Sequence, residues 1–190
     1  MTPLEKKSKS GIIFDETIRS GLVRIFQTSA VKTGFIMRIA IGSDHRGVTM
    51  RAKVIEILRQ HGHDVTECTG EVCDNTVDYP DVARQVAALV SKNEVERGIL
   101  ICGTGIGMSI VANKFPNVRA AVCGDELTAE ISRRHNNLNV LCLSGDMLGA
   151  KALDGIVTKW LETGFEAGRH LRRIEKIRHI EDDVNQGRIF

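Results

Sequence analysis

The chain has 190 residues, of which 42% are hydrophobic and 26% are charged, a composition typical of a globular protein with one full core. Its net charge of +2 and its aromatic content of 4% argue against nucleic-acid binding, which favours a basic surface with stacking side chains. No apolar run approaches the ~20 residues that a membrane-spanning helix needs, so we expect no membrane association.

The first 36 residues differ from the rest of the chain. They carry six Lys or Arg residues against three Asp or Glu residues, and they lack the compact apolar stretch of a secretory signal. At Met37 the sequence changes abruptly to "MRIAIGSDHRG", which predicts a buried strand followed by a turn. We therefore expect an accessory extension over residues 1–36 and a single domain over 37–190 that ends in a helix.

From Met37 onward, strand-like and helix-like patterns alternate. Short apolar runs predict five strands, at 38–42, 64–68, 98–102, 118–123 and 139–144. Amphipathic patterns at 49–62 and 78–92 predict helices between them, the second with Pro80 in its first turn. The expected fold is α/β: a three-layer α/β/α sandwich with a doubly wound, Rossmann-like sheet of five parallel strands. Ligands of such folds bind at the carboxyl ends of the strands.

The cysteines form an odd set without a CxxC pair: Cys68, Cys73, Cys102, Cys123 and Cys142. Three of them lie at or in apolar strand-like runs, which fits reduced thiols in a cytoplasmic protein better than a disulfide framework. No Cys or His pair shows the spacing of zinc ligands, so we expect no metal.

The stretch "RGILICGTGIGMSIVANKF", residues 97–115, carries the strongest local signal. Gly103, Gly105 and Gly107 alternate after a predicted strand, and a helical segment follows. The spacing is one residue short of the dinucleotide fingerprint, and no Gly-Lys-Ser/Thr follows as in a P-loop. A turn with unobstructed backbone N–H groups beside a helix start can still stabilise an anion, whether a phosphate or a developing oxyanion.

Cys102 stands at the end of that strand and permits two interpretations. A thiol facing the N–H groups of the turn would have its thiolate favoured, as a catalytic cysteine requires. A buried cysteine can equally be a small hydrophobic residue with no chemical role. The residue types and their spacing leave both open at this point.

Other polar residues cluster at predicted element ends. Asp44 and His45 follow the first strand and should share an edge of the sheet with Cys102 and Thr104. "SRRHNNLNV" places His135 and Asn136 just before the fifth strand, and "GRHLRR" places Arg169, Arg172 and Arg173 near the C-terminus. Arg169 and Arg173 are four residues apart on one helix face and could clamp a phosphate, or they could belong to a solvated basic helix.

Five segments together resemble a known family. "IGSDHRG", "DYPDVA", "GILICGTGIGMSIVANKFPNVRAAVC", "SRRHNNLNVL" and "GRHLRRIEKI" occur in the order seen in type B ribose-5-phosphate isomerases, whose wider family includes galactose-6-phosphate isomerase subunits. The resemblance covers residues 37 to about 183. It implies an aldose–ketose isomerase of the pentose phosphate pathway that uses no cofactor, forms an enediolate, and has its active site at the interface of a homodimer or tetramer.

The resemblance also implies roles for residues in the glycine turn. Cys102 matches the base that moves a proton between C1 and C2 of the sugar, and Thr104 matches a residue that assists at the reacting oxygens. The backbone of Gly103, Gly105 and Gly107 resembles the cradle for the enediolate. A branch of the family that uses a glutamate a few residues later is excluded, since "GIGMSI" contains no acid.

Residues elsewhere match the rest of the family's site. His135 matches the group that opens the furanose ring, with Asp44 nearby. The remaining matches are to substrate-binding residues: His45, Arg169 and Arg173 at the phosphate, and Asn136 and Tyr79 elsewhere in the pocket.

One residue departs from the family pattern. Asp146 in "SGDMLG" stands where the family commonly has an arginine or lysine that helps to hold the phosphate. An acid there would repel the phosphate by roughly 1 kcal/mol or more unless it points away. Allose 6-phosphate and galactose 6-phosphate therefore stay open as substrates, as does a sugar-phosphate-binding protein without catalysis. A group acting on four-carbon sugar phosphates lacks the "HNN" and "GRH" features of this chain.

Overall fold

The structure, a computed structural model of the protein, describes residues 35–70, 72–73 and 76–188. The proposed extension over 1–36 therefore lies almost wholly outside the described residues, and its role stays a prediction. The strands are β1 Arg38–Ser43, β2 Asp64–Cys68, β3 Val72–Cys73, β4 Thr76–Val77, β5 Arg97–Cys102, β6 Ala120–Val122 and β7 Val140–Ser144. The helices are α1 Val48–Gln60, α2 Tyr79–Ser91, α3 Ile106–Ala112, α4 Glu126–Asn136, α5 Ala150–Glu162 and α6 Arg169–Asn185.

Five strands form one parallel sheet in the order β2-β1-β5-β7-β6. The expected three-layer α/β/α fold is thereby confirmed. The chain places β2 on one side of β1 and then places β5, β7 and β6 on the other side. The direction of winding therefore reverses between β1 and β5. The short antiparallel hairpin of β3 and β4 is not part of this sheet and was not predicted.

Side chains of the central strands alternate between two apolar clusters, one on each face of the sheet. Ile99 and Ile101 of β5 pack with α1 and α5, whereas Leu100 and Cys102 pack with α2 and α3. This two-residue period is the expected consequence of strand geometry with both faces covered. The largest side chain in the core is Trp160 of α5, which is fully buried.

The observed element bounds differ slightly from the expected ones. The fourth strand is confined to Ala120–Val122 rather than 118–123. Helix α1 ends at Gln60 because Gly62 takes a left-handed conformation with φ +78°, which stops the helix two residues after it. Within the described part of the chain, no helix is both long and apolar enough to cross a membrane.

Candidate active site

Cys102 is the last residue of β5, and its sulfur accepts a hydrogen bond from the backbone. The N–H of Gly105 lies 3.1 Å from Cys102 Sγ, and the side chain is 5% exposed. Gly105 has φ +78°, a conformation that residues with a Cβ rarely adopt, and this aims its N–H back at the sulfur. This bond holds the sulfur at the carboxyl end of β5, beside the backbone N–H groups of the glycine turn.

The other described thiols lie in different surroundings. Burial raises the pKa of Cys68, and it raises the pKa of Cys123 to about 11. Burial also raises the pKa of Cys142, which is completely enclosed by the sheet and its helices. These three side chains are protonated at neutral pH and act as small hydrophobic residues.

The turn after β7 packs against the glycine turn. Gly145 N donates to Cys102 O at 2.7 Å, and Asp146 N donates to Gly103 O at 3.2 Å. Ser144 Oγ donates to the same Gly103 oxygen at 2.6 Å. These three bonds hold the backbone on either side of the thiol in one position.

The turn after β1 closes the site from the other side. Asp44 N donates to Ile101 O at 3.1 Å, so Asp44 lies beside β5 as expected. The Asp44 carboxylate is buried and accepts from the N–H groups of Arg46 at 2.9 Å and Gly47 at 3.2 Å. These bonds hold the turn closed and fix Asp44 at the carboxyl edge of the sheet.

Three further site candidates come from this edge. His45 Nδ1 lies 3.4 Å from Val77 O, which places His45 between the β1 turn and the β3–β4 hairpin. The ring of Tyr79, the first residue of α2, packs on Gly107. A Cβ at Gly107 would lie 2.6 Å from the ring, so only glycine leaves room for it. Thr104 lies in the glycine turn after β5, and its Oγ1 accepts a hydrogen bond from Ile106 N at 3.3 Å.

Asp146 is paired with a cation. Arg46 Nε lies 3.2 Å from Asp146 Oδ1, and Arg46 Nη2 lies 2.6 Å from Oδ2. Sequence reasoning expected Asp146 either to point away from a bound phosphate or to repel it. The pairing neutralises the carboxylate, and no local pattern could have revealed it because the two residues are 100 positions apart.

The remaining candidates form a second group, which is centred on two stacked histidines. His135, in the last turn of α4, lies parallel to His170 of α6 with ring centroids 4.2 Å apart. Glu166 Oε2 lies 3.8 Å from His135 Nε2 and 3.9 Å from His170 Nε2. Arg134 donates to Glu166 Oε1 through Nε at 2.6 Å and lowers the pKa of that carboxyl, chiefly through this hydrogen bond.

His170 and Glu166 were missed by the sequence analysis. His170 is buried, and Arg169 Nε lies 3.3 Å from its Nε2, which makes that nitrogen the acceptor. Burial lowers the pKa of His170, and the nearby charges of His135, Arg169 and Arg173 lower it further. The i, i+4 spacing of Glu166 and His170 was the available signal.

The trio His135, Glu166 and His170 has ligand atoms within 4.8 Å of one another, close enough for a metal ion. Two of the three side chains already have cationic partners, since Arg134 donates to Glu166 Oε1 and Arg169 donates to His170 Nε2. Two guanidinium groups at the site oppose the binding of a cation. The two guanidinium groups therefore make this trio a poor fit for a metal ion.

The two groups of candidates lie at opposite edges of the sheet. Cys102 and Asp44 stand where strands end, whereas His135 and Asn136 stand at the end of α4, just before β7 begins. A helix that connects parallel strands runs back, so its C-terminus lies at the amino edge. Among residues 35–70, 72–73 and 76–188, no hydrogen bond or ion pair joins one group to the other.

Comparisons with known proteins point in one direction. A family model described as ribose/galactose isomerase matches residues 39–177. Ribose-5-phosphate isomerase B of Escherichia coli (strain K12) is 42% identical over 148 residues, which are 78% of this chain and 99% of that protein. D-erythrulose-4-phosphate isomerase of Pectobacterium atrosepticum is 37% identical over 77% of this chain and 96% of its own length.

A solved structure agrees with these sequence matches. Ribose-5-phosphate isomerase B from Mycoplasma genitalium with bound ribulose-5-phosphate superimposes with a TM-score of 0.73 at 42% sequence identity. The superposition covers 77% of this chain and 97% of that one.

The conformation of Gly105 generates a testable expectation. Gly105→Ala would place a Cβ 3.1 Å from Leu143 O in a left-handed turn, which moves the N–H that bonds Cys102 Sγ. We expect a stability loss of about 1–2 kcal/mol and a fall in kcat/KM of roughly 10²-fold. Chemical denaturation and steady-state kinetics measure the two effects.

Gly62→Ala is the matched control for that variant. Gly62 has the same φ of +78° but no neighbouring atom within 4 Å of a Cβ. It follows the end of α1, at the opposite edge of the sheet from Cys102. It should lose stability by about the strain of one left-handed residue and keep full activity. Equal losses of activity in the two variants would contradict the role given to the Gly105 N–H.

The low pKa of His170 makes stability depend on pH. The folded chain binds a proton at His170 less readily than the unfolded chain does, because the folded pKa lies below the ordinary value of 6.5. His170 therefore stabilises the folded chain fully above pH 6.5, and the free energy of unfolding decreases as the pH falls below that value. We expect the Tm of the wild type to fall more steeply than that of His170→Gln between roughly pH 7 and pH 5. Parallel curves would refute this assignment.

Proposed function

Because the chain belongs to the ribose/galactose isomerase family, we propose that it is a sugar-phosphate isomerase that interconverts ribose 5-phosphate and ribulose 5-phosphate without a cofactor. The hydrogen bond from Gly105 N–H to Cys102 Sγ carries this proposal, because it holds the sulfur beside a turn whose backbone N–H groups can stabilise an oxyanion. The relatives named ribose-5-phosphate isomerase B support the choice of substrate.

The reaction requires a proton to move between neighbouring carbons. The Cys102 thiolate removes the proton from C2 of the open-chain aldose, and the electron pair forms a C1–C2 double bond as negative charge moves to the O1 oxygen. Backbone N–H groups of the glycine turn and the Thr104 hydroxyl stabilise that oxyanion. The thiol then returns the proton to C1, the proton on O2 is transferred to O1, and the C2=O bond of the ketose forms with no net change in atoms or electrons.

The substrate must first be opened and held. His135 serves as the acid and base that open the furanose ring, with Asp44 beside the sugar. His45, Arg169 and Arg173 bind the phosphate, and Tyr79 and Asn136 line the rest of the pocket. Glu166 and His170 support His135, since Glu166 contacts both imidazoles and His170 stacks on His135.

These roles require two copies of the chain, because Cys102 and His135 lie at opposite edges of the sheet in one copy. Helix α6 presents exposed apolar side chains at Leu171, Ile177, Ile180 and Val184. It also borders a groove of about 690 Å³ between its second half and residues 113–121. We infer a symmetric homodimer that covers this helix and brings the second group of one protomer to the first group of the other.

The sugar itself is the least constrained part of the proposal. Asp146 departs from the family pattern, and the relative from Pectobacterium atrosepticum is named for a four-carbon sugar phosphate. Allose 6-phosphate and galactose 6-phosphate are the further candidates, since a longer chain needs only a roomier pocket. Interconversion of ribose and ribulose 5-phosphate would place the chain in the pentose phosphate pathway, in the cytoplasm.

Turnover by the purified full chain tests the assignment. Ribose 5-phosphate, allose 6-phosphate, D-erythrulose 4-phosphate and unphosphorylated ribose are compared side by side, with Cys102→Ala as the variant. We expect preference for ribose 5-phosphate and a loss of roughly 10²- to 10⁴-fold in kcat for Cys102→Ala, because the base is gone. Cys142→Ala is the control, since that thiol is enclosed in the core.

Three results would contradict parts of this proposal. Activity on another sugar phosphate alone would overturn the substrate and keep the reaction. Undiminished turnover by Cys102→Ala would remove the proposed base. No turnover of any sugar, together with a Tm that rises on adding ribose 5-phosphate, would indicate a binding protein without catalysis.

A further inference from the structure

Arg46 lies beside the glycine turn of the candidate site and has no part in the roles proposed above. A Cβ on Gly103 would lie 2.9 Å from Asp146 Oδ2 and 3.1 Å from Arg46 Nε, so the Arg46–Asp146 pair rests on the residue that follows Cys102. The two side chains are 57% and 37% exposed, in contrast to the nearly buried Cys102. The pair is therefore at the surface of the site and the thiol beneath it.

This placement puts a cation next to the candidate thiol. The guanidinium of Arg46 lies over Gly103, which adjoins Cys102 in the chain. The charged end of a sugar phosphate whose reacting carbons lie at Cys102 Sγ can therefore lie beside Arg46.

The guanidinium has donors to spare. Its planar fork carries five N–H groups, and Asp146 takes the edge formed by Nε and one hydrogen of Nη2. Across the part of the chain that the structure describes, nothing pairs with Nη1. The second edge, Nη1 with the outer hydrogen of Nη2, has the geometry that binds two phosphate oxygens at once.

We propose that Arg46 binds the phosphate of the substrate through this second edge, with Asp146 as the positioning residue that holds the guanidinium over Gly103. The pair then selects phosphorylated over unphosphorylated sugars. It also accounts for the acid at position 146, because the cation stands at position 46 and the acid orients it. The inference rests on the proposed function for its substrate class, but phosphate binding is measurable apart from turnover.

The chain offers a matched ion pair at the opposite end of β1. Arg38 Nη2 lies 2.6 Å from Glu96 Oε1 and Arg38 Nε lies 3.1 Å from the same oxygen, with exposures of 54% and 35%. The two pairs resemble each other in geometry and exposure, and both tie an end of β1 to a neighbouring segment. They differ in that Arg38 and Glu96 lie at the amino edge, away from Cys102.

The test compares two double variants of the full chain that keep its net charge. Arg46→Gln with Asp146→Asn removes the first pair, and Arg38→Gln with Glu96→Gln removes the second. Inorganic phosphate is titrated into each by calorimetry, and KM is measured for ribose 5-phosphate and for unphosphorylated ribose. We expect the first variant to raise the phosphate Kd and the KM for ribose 5-phosphate by roughly 10-fold or more, with KM for ribose and kcat little changed.

The control variant should bind phosphate within about twofold of the wild type. A phosphate Kd that is unchanged in Arg46→Gln/Asp146→Asn would overturn the proposal and leave the pair as a bridge between turns. A lower Kd would overturn it as well, because Asp146 would then only repel the anion. If that variant does not unfold cooperatively, Arg46→Met, which keeps the stem against Gly103, is judged by the same criteria.

The outcome is separable from that of the proposed function. If the wild type binds phosphate through Arg46 but does not isomerise ribose 5-phosphate, the phosphate site stands and the proposed substrate is wrong. If the wild type isomerises ribose 5-phosphate and its phosphate affinity does not depend on Arg46, the proposed substrate stands and the phosphate site at Arg46 is wrong.

Discussion

The hydrogen bond between Gly105 N–H and Cys102 Sγ is the interaction on which the candidate site depends. It needs a left-handed residue three positions after the sulfur, and it needs the neighbouring turns to keep that residue still. The backbone bonds from Gly145 and Asp146 to the carbonyls of Cys102 and Gly103 supply the second requirement. The position of this sulfur therefore depends on how β1, β5 and β7 end together. The close packing of the turns that follow these strands leaves room only for glycine at several positions.

The sheet topology imposes a second constraint, which acts at longer range. Parallel strands place their carboxyl ends at one edge, and the helices between them end at the other. His135, with Glu166 and His170 around it, is thus separated from Cys102 by the length of the strands. One chain carries all the groups that the proposed chemistry needs but cannot bring them to one substrate. The exposed apolar face of α6 adjoins the second group. Association of two copies through this face would bury it and would bring His135 of one copy to Cys102 of the other.

Sequence reasoning recovered what local patterns encode. Short apolar runs located the five strands of the sheet, and the glycines after Cys102 predicted the turn that follows β5. The stabilisation of an anion by that turn stays a prediction. Sequence reasoning did not reveal features that depend on contacts between residues far apart in the chain. The partner of Asp146 is Arg46, 100 residues away, and His170 meets His135 only because α6 packs against the end of α4. The β3–β4 hairpin escaped notice because two-residue strands leave no periodic pattern.

The most direct test of this account mixes two inactive subunits. Cys102→Ala and His135→Ala proteins are purified separately, dissociated together in mild denaturant and allowed to reassociate, and turnover of ribose 5-phosphate is followed. If each site joins Cys102 of one protomer to His135 of the other, every mixed dimer contains one intact site, and random mixing restores about a quarter of wild-type activity. A site contained within one chain leaves every mixed dimer without an intact site. Activity no higher than the sum of the two separate variants, in a mixture proven to exchange subunits, would contradict the account.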